Sequence, residues 1–582
     1  MKMKKNIYAF ILGLMVVSCN YTDLTPMDSF TDKSYWNTTN DMKLYANGLY
    51  GLLSSPSPTL DNESDNFVTS NYSALLYNEQ TIPSEGGGWS WGDIRNCNYF
   101  MARYQKVQGN EKEINKYVGE VRFFRALLYF DKIKQFGDVP YYDTDLQTTD
   151  KDQLYKARDS RNTVLTKIIE DLEFAIANLP EKSESEVGRL NKDAARVQLA
   201  RVCLYYGTYM KYHGESANAS LSTELLNKAV TITDDIINSG KYEIVKGSDA
   251  GCDQLAKPGY PLYYSDQFTQ GDLTSNKECI LARHYEEGIL AHYLGRSVEE
   301  SGLGLTKDFA ESFLMKDGTP IYNDNSKYKG DDDLETEMTD RDPRIYQIID
   351  NANKPYYVRN GERVANVLAI RVMTSKAVTG YYCVKYHHAN TSQQEAQHST
   401  FDWFVYRYAE VLLINAEANA ELGKCTQSVL DRTINKLRDR VEMAHLTTNP
   451  VADAKPINYG YHISNLLYEI RRERRIELIA EGFRLDDIKR WNATQLLANP
   501  KTVLGIIITP TVISEYPANT FGGENGRPTI EYDGKTYLYQ YKSSKQLDDK
   551  ARVWNTNDKR WLSPIPTQEL TLNHNLTQNP GW

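Results

Sequence analysis

Carboxylates are the most numerous groups in this sequence that could do chemistry, with 77 Asp and Glu among 582 residues. Cleavage of a glycosidic bond needs two carboxylates that face each other across a sugar ring, and an apolar setting raises the pKa of the one that acts as an acid. The run Asp331–Asp333 lies in a polar turn after Gly330, and the acids near Ile470–Trp491 are spaced to meet arginines. No acid lies in an apolar stretch, so the sequence argues against a glycoside hydrolase.

Histidine and cysteine form no recognisable metal or redox motif. His387 and His388 are adjacent, and neighbouring side chains on a strand point to opposite faces, so the two are poorly placed to bind one ion. Apart from Cys19, the six cysteines are scattered and contain no C-x-x-C pair, unlike a zinc site or a disulfide scaffold. Zinc-protease, serine-hydrolase and phosphate-loop motifs are also absent from the sequence. We therefore predict no catalytic residue, no metal site and no cofactor.

Aromatic residues offer binding chemistry instead. Tyr outnumbers Phe by 42 to 16, and a core built only by packing would not need so many hydroxyl groups. Flat rings stack on the C–H faces of sugars, while acids, amides and Arg bind the hydroxyls. The best local candidate is Glu85–Asp93 (EGGGWSWGD), where three glycines favour a loop that presents Trp89 and Trp91. For each Trp the alternative is a core residue that seats the helix beginning at Ile94.

Five tyrosines are further candidates for a ligand-binding surface. Tyr72 and Tyr77 precede the tryptophan loop, and Tyr264, Tyr285 and Tyr293 lie in a long insert between helices. Each of these rings could instead pack in the core, which is the commoner role of such a tyrosine. The sequence alone does not decide between the two roles, because exposure depends on the tertiary structure.

The amino terminus has the pattern of a lipoprotein signal peptide. Three lysines precede the apolar run Ile7–Val17, which at 11 residues is too short to cross a bilayer. The run ends in Val-Val-Ser-Cys, which resembles the lipobox of bacterial lipoproteins, whose Cys is acylated and becomes the first residue. We therefore predict a signal peptide over residues 1–18 and a lipid anchor at Cys19, made stable by more than one acyl chain. No later stretch of the sequence is apolar enough to span a membrane.

The charge balance excludes one class of partner. Removal of the first 18 residues takes away three lysines and no acid, which leaves 64 basic and 77 acidic side chains and a net charge of −13. Binding to duplex nucleic acid requires a basic surface that displaces counterions. We therefore expect no nucleic-acid partner.

Helical periodicity predicts the scaffold that must position these groups. Six amphipathic stretches form three predicted hairpins, which join residues 111–135 to 162–179, 191–212 to 223–239, and 406–422 to 427–441. Small residues such as Ala126, Gly207 and Ala416 lie on the packing side, as in tetratricopeptide-like units. The inserts over residues 240–401 and 499–560 are rich in Gly, Asp and Tyr, with short apolar runs at 279–282 and 380–385, and predict loops and a few strands. The predicted fold class is mainly α, with tetratricopeptide-like helical hairpins as a scaffold and a loop-rich, few-stranded second lobe.

The stretch Ile470–Trp491 (IRRERRIELIAEGFRLDDIKRW) combines an apolar stripe with charges at helical spacing. Pairs such as Arg474 and Glu477, or Arg484 and Asp487, share a helix face. Spacing alone favours a solvated charged face. Gly482 is expected to bend or break this helix.

The pattern ER-x-x-EL-x-x-EG-x-R-x-x-D-(I/L)-x-RW in that stretch resembles the signature helix region of the SusD/RagB family, the surface glycan-binding lipoproteins of Bacteroidetes, in which these charges are structural. Further motifs follow in the family's order: Arg122–Ala126, Phe136–Pro140, Asp317-Gly318, Arg341–Arg344, Thr379–Tyr382 with Lys385, Tyr406–Glu410, Pro564–Glu569 and Gln578–Trp582. The last residue is Trp where the family more usually has Tyr or Phe. The ordered set, together with the lipobox, identifies the chain as similar to this family.

The resemblance implies a protein anchored in the outer membrane and facing the cell surface, which captures an oligosaccharide or polysaccharide. It also implies a partner, a SusC-like TonB-dependent transporter on which the protein acts as a lid. Residues 19–270 would form the amino-terminal SusD-like region and residues 271–582 the carboxyl-terminal SusD/RagB region. Starch-binding members use aromatic residues from the region of Trp89 and Trp91. The RagB branch leaves a peptide ligand as an alternative, and the sequence does not name the glycan.

The lipobox generates a direct test. We expect Cys19→Ala to leave a folded protein that is soluble or mislocalised, because the acyl chains would have no attachment point. Fractionation of cells, with the melting temperature of the purified variant as a control for folding, measures this. Recovery of the variant in the outer-membrane fraction would contradict lipid anchoring.

Overall fold

The computed structural model describes residues 35–247, 256–359, 362–364, 371–372, 376–541, 552–555 and 558–582. Within these residues the chain is mostly helical, and its nine short strands form four small sheets. The predicted fold class is therefore confirmed. The predicted signal peptide and Cys19 lie outside the described residues.

The amino-terminal part is a series of helices, which we number in chain order. These are α1 Thr39–Asn47, α2 Gly92–Met101, α3 Glu111–Phe136, α4 Lys151–Leu154, α5 Arg161–Asn178, α6 Lys192–Tyr212 and α7 Ala219–Asn238. Side chains that precede these helices satisfy the free amide groups of the first turn. Asn110 accepts the N–H of Lys112 at 2.9 Å before α3, and Ser160 accepts the N–H of Thr163 at 3.2 Å before α5.

The long insert contains only short elements. Its helices are α8 Leu294–Glu300, α9 Lys307–Glu311, α10 Leu334–Met338 and α11 Ile345–Ile348. The last part of the chain adds α12 Tyr408–Glu421, α13 Gln427–Arg432, α14 Ile434–Arg440, α15 Asn465–Glu477, α16 Arg484–Arg490, α17 Thr494–Ala498, α18 Pro510–Ser514 and α19 Thr567–Leu572.

The strands are β1 Phe67–Val68, β2 Cys279–Arg283, β3 Gly304–Leu305, β4 Tyr357–Arg359, β5 Glu362–Val364, β6 Trp403–Arg407, β7 Leu504–Ile507, β8 Thr529–Tyr532 and β9 Lys535–Tyr539. All paired strands in these sheets are antiparallel. The β1–β3 pair, with Phe67 opposite Leu305, joins the amino-terminal part to the insert. The apolar run at 279–282 forms a strand as expected, whereas residues 380–385 make only isolated bridges at Tyr382 and Cys383.

The hairpins stack as the periodicity predicts. Helix α3 packs on α5, α5 on α6, α6 on α7, α7 on α12 and α12 on α15. The approach of α6 to α7 requires a residue without a side chain, because a Cβ at Gly207 would lie 2.8 Å from the Leu226 side chain. The third predicted hairpin is correct in place but wrong in detail. Its first arm begins at Tyr408, after strand β6, and its second arm is broken at Thr433 into α13 and α14.

The charged stretch Ile470–Trp491 forms two helices, α15 and α16, with a break between them. Gly482 has φ +84° and Ala480 has φ +61°, conformations that interrupt a right-handed helix. The expected break is therefore confirmed. The solvated face that spacing alone favours is wrong, because Arg471, Glu473, Arg475 and the other charged residues of α15 are almost completely buried.

The buried charged residues of α15 and α16, with the charged side chains that they bind, form what we call the charge layer. Glu477 lies at its centre. Its carboxylate accepts a hydrogen bond from Arg440 at 2.5 Å and one from Arg407 at 2.8 Å, and the guanidinium of Arg344 lies 3.2 Å away. Burial alone would raise the pKa of Glu477, but the three guanidinium groups outweigh it and bring the pKa to about 2. Glu417 is held in the same way between α12 and α16, where it binds both terminal nitrogens of Arg490 at 2.6 and 2.7 Å.

Arg484 is also part of the charge layer, but its predicted partner is wrong. It binds Asp65 through two hydrogen bonds of 2.7 Å instead of pairing with Asp487. Glu481 precedes the break at Gly482 and accepts hydrogen bonds from Arg407 at 2.6 Å and Lys385 at 2.5 Å. The break separates Glu481 from Arg484, so these two residues, three apart in sequence, do not share a helix face.

Because Glu477 is buried among arginines, we expect even a substitution that keeps its size to lower the free energy of unfolding strongly. Glu477→Gln keeps the size of the side chain but removes the charge that compensates three buried arginines, and we expect a loss of about 3–5 kcal/mol in the free energy of unfolding. Glu300→Gln is the matched control, because Glu300 forms an exposed pair with Arg296 and should cost at most about 1 kcal/mol. Denaturant unfolding measures the free energy of unfolding of both variants. Equal values for the two would contradict the stabilising role of the Glu477 charge.

The same variant predicts a pH dependence. The pKa of Glu477 is about 2 in the folded protein against an ordinary 4.5, so its ionised form stabilises the fold above pH 4.5 and this contribution is lost as the pH falls from 4.5 towards 2. Glu477→Gln should therefore lose less stability over that range than the unmodified protein.

Candidate functional site

The tryptophan loop, Glu85–Asp93, is held against helix α3. Gly86, Gly87 and Gly88 have φ values of +73°, +56° and +87°, which glycine adopts without a steric penalty. The side chain of Gln135 donates to the Gly87 carbonyl at 3.0 Å, and the ammonium of Lys132 donates to the Gly88 carbonyl. The three glycines thus form the loop that the sequence favours.

The two tryptophans of this loop differ in exposure. Trp89 is 6% exposed, and its ring packs edge to face against Phe136 with centroids 4.8 Å apart. The structure therefore places Trp89 in the core, where its face is not available for stacking. Trp91 is half-buried, with its ring centroid 5.6 Å from that of Tyr142, and only this indole of the two has substantial exposed surface.

Trp91 borders a cavity of about 440 Å³, which we call the tryptophan groove. Its wall is mainly apolar and includes Trp89, Trp91, Ile94, Pro140, Tyr142, Leu146, Leu154, Tyr155, Leu572 and Leu576, with Arg95, Gln147, Thr148 and Glu569 among its polar residues. Leu154 and Leu572 are 38% and 58% exposed. The groove therefore offers aromatic and branched apolar surface with few polar groups.

Among the five candidate tyrosines, Tyr72 and Tyr77 are brought together. Tyr72 is 38% exposed, and its ring centroid lies 5.1 Å from that of buried Tyr77 and 6.2 Å from that of Tyr541. We call Tyr72, Tyr77, Tyr539 and Tyr541 the tyrosine cluster. The Arg552 guanidinium lies 5.1 Å from the Tyr77 ring, so the cluster extends towards the carboxyl-terminal part of the chain.

The three candidate tyrosines of the long insert differ from one another in exposure. Tyr264 is 0% exposed, and its hydroxyl donates to the Glu477 carbonyl at 2.7 Å. Tyr285 is buried with its ring 4.5 Å from His292. The expectation that these two rings present a binding face is therefore wrong, because both lie inside the second lobe. Tyr293 is half exposed beside α8.

A second cavity, of about 630 Å³, was not foreseen from the sequence. We call it the polar cleft, and it is lined by Asp308, Glu311, Tyr322, Lys455, Pro456, Ile457, Asn458, Gln495, Ala498, Asn499, Pro500, Lys501, Tyr532, Val553 and Trp554. Three aromatic residues, three amides and four charged residues thus converge from six segments of the chain. This composition matches the chemistry that binds sugar hydroxyls and C–H faces.

The polar cleft has a rigid floor. Asp308 on α9 accepts hydrogen bonds from Arg475 at 2.7 Å and from Asn499 at 2.5 Å. Lys501 pairs with Glu311, also on α9, at 2.5 Å. These contacts connect the cleft directly to the buried charge layer of α15, so Asp308, Glu311, Asn499 and Lys501 are held in place without a ligand.

One wall of the polar cleft contains an unsatisfied donor. Trp554 is only 4% exposed, and the described part of the chain offers no acceptor to its indole N–H. Arg552, two residues earlier, binds the Thr502 hydroxyl and contacts Tyr77. Arg552 thus connects the tyrosine cluster to the segment that carries Trp554, while no residue of the cluster lines the cleft.

Asp61 is a buried acid with a raised pKa, the property that a catalytic acid needs. Asp61 contradicts the expectation that no acid lies in an apolar setting, since burial raises its pKa to about 6. Its carboxylate accepts the N–H groups of Ala480 at 2.8 Å and Gly482 at 3.1 Å. Asp61 thus fixes the break between α15 and α16, and it lines neither the polar cleft nor the tryptophan groove.

One group of described residues has metal-ligand types. Nδ1 of His284 lies 2.6 Å from Asp402, with Asp272 close by. The Asp402 carboxylate already accepts the N–H groups of Leu273 at 2.8 Å and Tyr285 at 3.0 Å. These contacts account for the position of Asp402 as a residue that orders its loop.

Comparisons with known proteins agree with this architecture. Two family models match the chain: one described as the SusD family over residues 294–582, and one described as starch-binding associating with outer membrane over residues 27–204. A curated relative, SusD-like protein P38 of Formosa agariphila, is 24% identical over 86% of this chain and 94% of its own length.

Two solved structures show the same fold. A SusD-like carbohydrate binding protein from Bacteroides fragilis has a TM-score of 0.67 at 22% identity and covers 93% of this chain and all of its own. A laminarin binding SusD-like protein has a TM-score of 0.54 at 17% identity, with 94% of this chain and all of its own covered. In the described part of the present chain, no helix combines the length and apolar character needed to cross a membrane.

The different exposure of the two tryptophans predicts different costs of truncation. Trp89→Ala removes a buried ring and should lower the free energy of unfolding by about 3–5 kcal/mol. Trp91→Ala removes a half-buried ring and should cost about 1–2 kcal/mol, because less apolar surface returns to water. Denaturant unfolding of both variants measures the difference, and an equal loss would contradict the assignment of Trp89 alone to the core.

Proposed function

The chain belongs to the SusD/RagB family, and on that basis we propose that it is an outer-membrane lipoprotein, anchored through Cys19, that binds a glycan without cleaving it. The family models and the lipobox support this proposal from independent parts of the sequence. Delivery of the glycan would require a SusC-like TonB-dependent transporter, because binding at the membrane does not by itself carry a sugar across.

We assign glycan binding to the polar cleft. The observation that carries this assignment is its composition, since aromatic rings, amides and charged side chains converge there from six segments of the chain. Rings of this kind stack on the C–H faces of sugars, and the polar side chains bind their hydroxyls.

Other lining residues supply the remaining contacts. Tyr532 is a partly exposed ring, suited to stacking on a sugar face. The Gln495 side chain is exposed and provides both a donor and an acceptor. Because helix α17, strand β8 and the 3₁₀ helix Pro500–Val503 hold these groups, binding would order few side chains and the entropic cost would be low.

Tyr72 extends the proposed site for a longer ligand. Its exposed ring packs on Tyr77, which in turn contacts Arg552 next to the cleft wall. An oligosaccharide that extends from the cleft past Trp554 and Arg552 would meet this second aromatic surface. We therefore propose a ligand of several sugar units.

The tryptophan groove favours a second candidate function, peptide binding. Its exposed leucines, Leu154 and Leu572, and the ring of Trp91 match apolar side chains of a peptide better than a hydroxylated sugar. The groove shares no lining residue with the polar cleft. The two functions can therefore be separated by variants.

Calorimetric titration with an oligosaccharide panel and a peptide panel tests both candidates. Tyr532→Ala should weaken oligosaccharide binding about tenfold to hundredfold, as loss of an aromatic anchor worth about 1–3 kcal/mol implies. Trp91→Ala is the matched control and should leave oligosaccharide binding unchanged.

The opposite result, with binding lost in Trp91→Ala and retained in Tyr532→Ala, would move the ligand to the tryptophan groove. Binding of peptides alone would support the second candidate and contradict the first. The melting temperature of each variant shows whether a lost signal reflects unfolding.

A further inference from the structure

We propose that the polar cleft is selective for a sugar unit that carries an anionic group, a carboxylate or a sulfate. This inference rests on the glycan-binding role proposed above and adds the chemical class of the ligand. It follows from the donors in the cleft that have no acceptor in the described part of the chain.

The two acids that line the cleft are already compensated. Asp308 is paired with the buried guanidinium of Arg475 at 2.7 Å. Glu311 is paired with Lys501 at 2.5 Å. Neither carboxylate is therefore available to bind a cationic group without breaking a pair that the fold supplies.

Lys455 is the charged lining residue that the described part of the chain leaves without an acidic partner. The nearest acid in sequence, Asp453, uses its side chain to bind Arg472 at 2.5 Å and the backbone N–H of Lys455 at 2.8 Å. The Lys455 ammonium lies 4.5 Å from the centroid of the Tyr322 ring. The cation thus lies over a face of this ring, inside the cleft.

Asn458 adds a neutral donor to the cleft. Its side-chain oxygen accepts the N–H of Gly460 at 2.7 Å, which leaves its amide nitrogen to donate to a ligand. Together with Lys455, this amide favours a ligand rich in acceptor oxygens.

A carboxylate or a sulfate is the best match for the Lys455 ammonium and the Asn458 amide. Its oxygens accept charge-assisted hydrogen bonds, which are shorter and stronger than those of a neutral hydroxyl. A neutral sugar would bind the same donors but would leave the charge of Lys455 uncompensated. The site is open to solvent at Lys455, so screening limits the preference to about tenfold at low salt.

The experiment compares matched pairs of ligands by calorimetric titration at low and high salt. Each pair is an oligosaccharide bearing uronate or sulfate groups and its carboxyl-reduced or desulfated counterpart of the same linkage and length. We expect the anionic member to bind about tenfold more tightly at low salt and the difference to shrink at high salt.

Lys455→Gln should abolish this preference, so that the two members of each pair bind with equal affinity. Lys436→Gln is the control, since Lys436 is exposed and lines neither cavity, and it should retain the preference. Melting temperatures show that both variants are folded.

Equal binding of both members of every pair would overturn the anionic class and leave the glycan-binding role intact. A preference that survives in Lys455→Gln would overturn the role of this residue. If no member of any pair bound to the folded protein, both this inference and the assignment of the polar cleft would fail.

Discussion

The buried carboxylate of Glu477, shared by three arginines, is the interaction on which the rest of the structure depends. Moving one such ion into the protein interior costs several kcal/mol, and the cost is offset only if every charge has its partner in place. Arg344 comes from the insert, Arg407 from the end of β6 and Arg440 from α14. Correct pairing therefore requires all three segments to converge on α15, which specifies one arrangement of the two lobes.

The same layer reaches the proposed binding site. Arg475, on α15, binds Asp308 in the floor of the polar cleft and also Asn66 at 2.8 Å. Arg484 binds Asp65 across the break at Gly482. A site built on these contacts is rigid without a ligand, as the low ordering cost of sugar binding requires. The charged residues of the signature stretch thus act on binding through position, since none of them lines the cleft.

Local signals in the sequence predicted the elements well and the site poorly. Helical periodicity and caps located the hairpins to within a few residues, and Gly482 correctly marked the break, because these features depend on neighbours in sequence. The partner of Arg484 is Asp65, 419 residues away, and no local pattern identifies such a pair. The polar cleft was missed because Tyr322, Lys455 and Tyr532 come together only in the tertiary structure. Trp89 resembled an exposed platform because its packing partner, Phe136, is likewise distant.

A crystal structure of the protein with an oligosaccharide that it binds tests the central claim most directly. The account predicts electron density for a sugar in the polar cleft, with a ring stacked on Tyr532 and an acceptor oxygen within hydrogen-bonding distance of the Lys455 ammonium or the Asn458 amide. The backbone around the cleft should move little, because the charge layer fixes it. Density for the sugar in the tryptophan groove, with the polar cleft empty, would contradict the account.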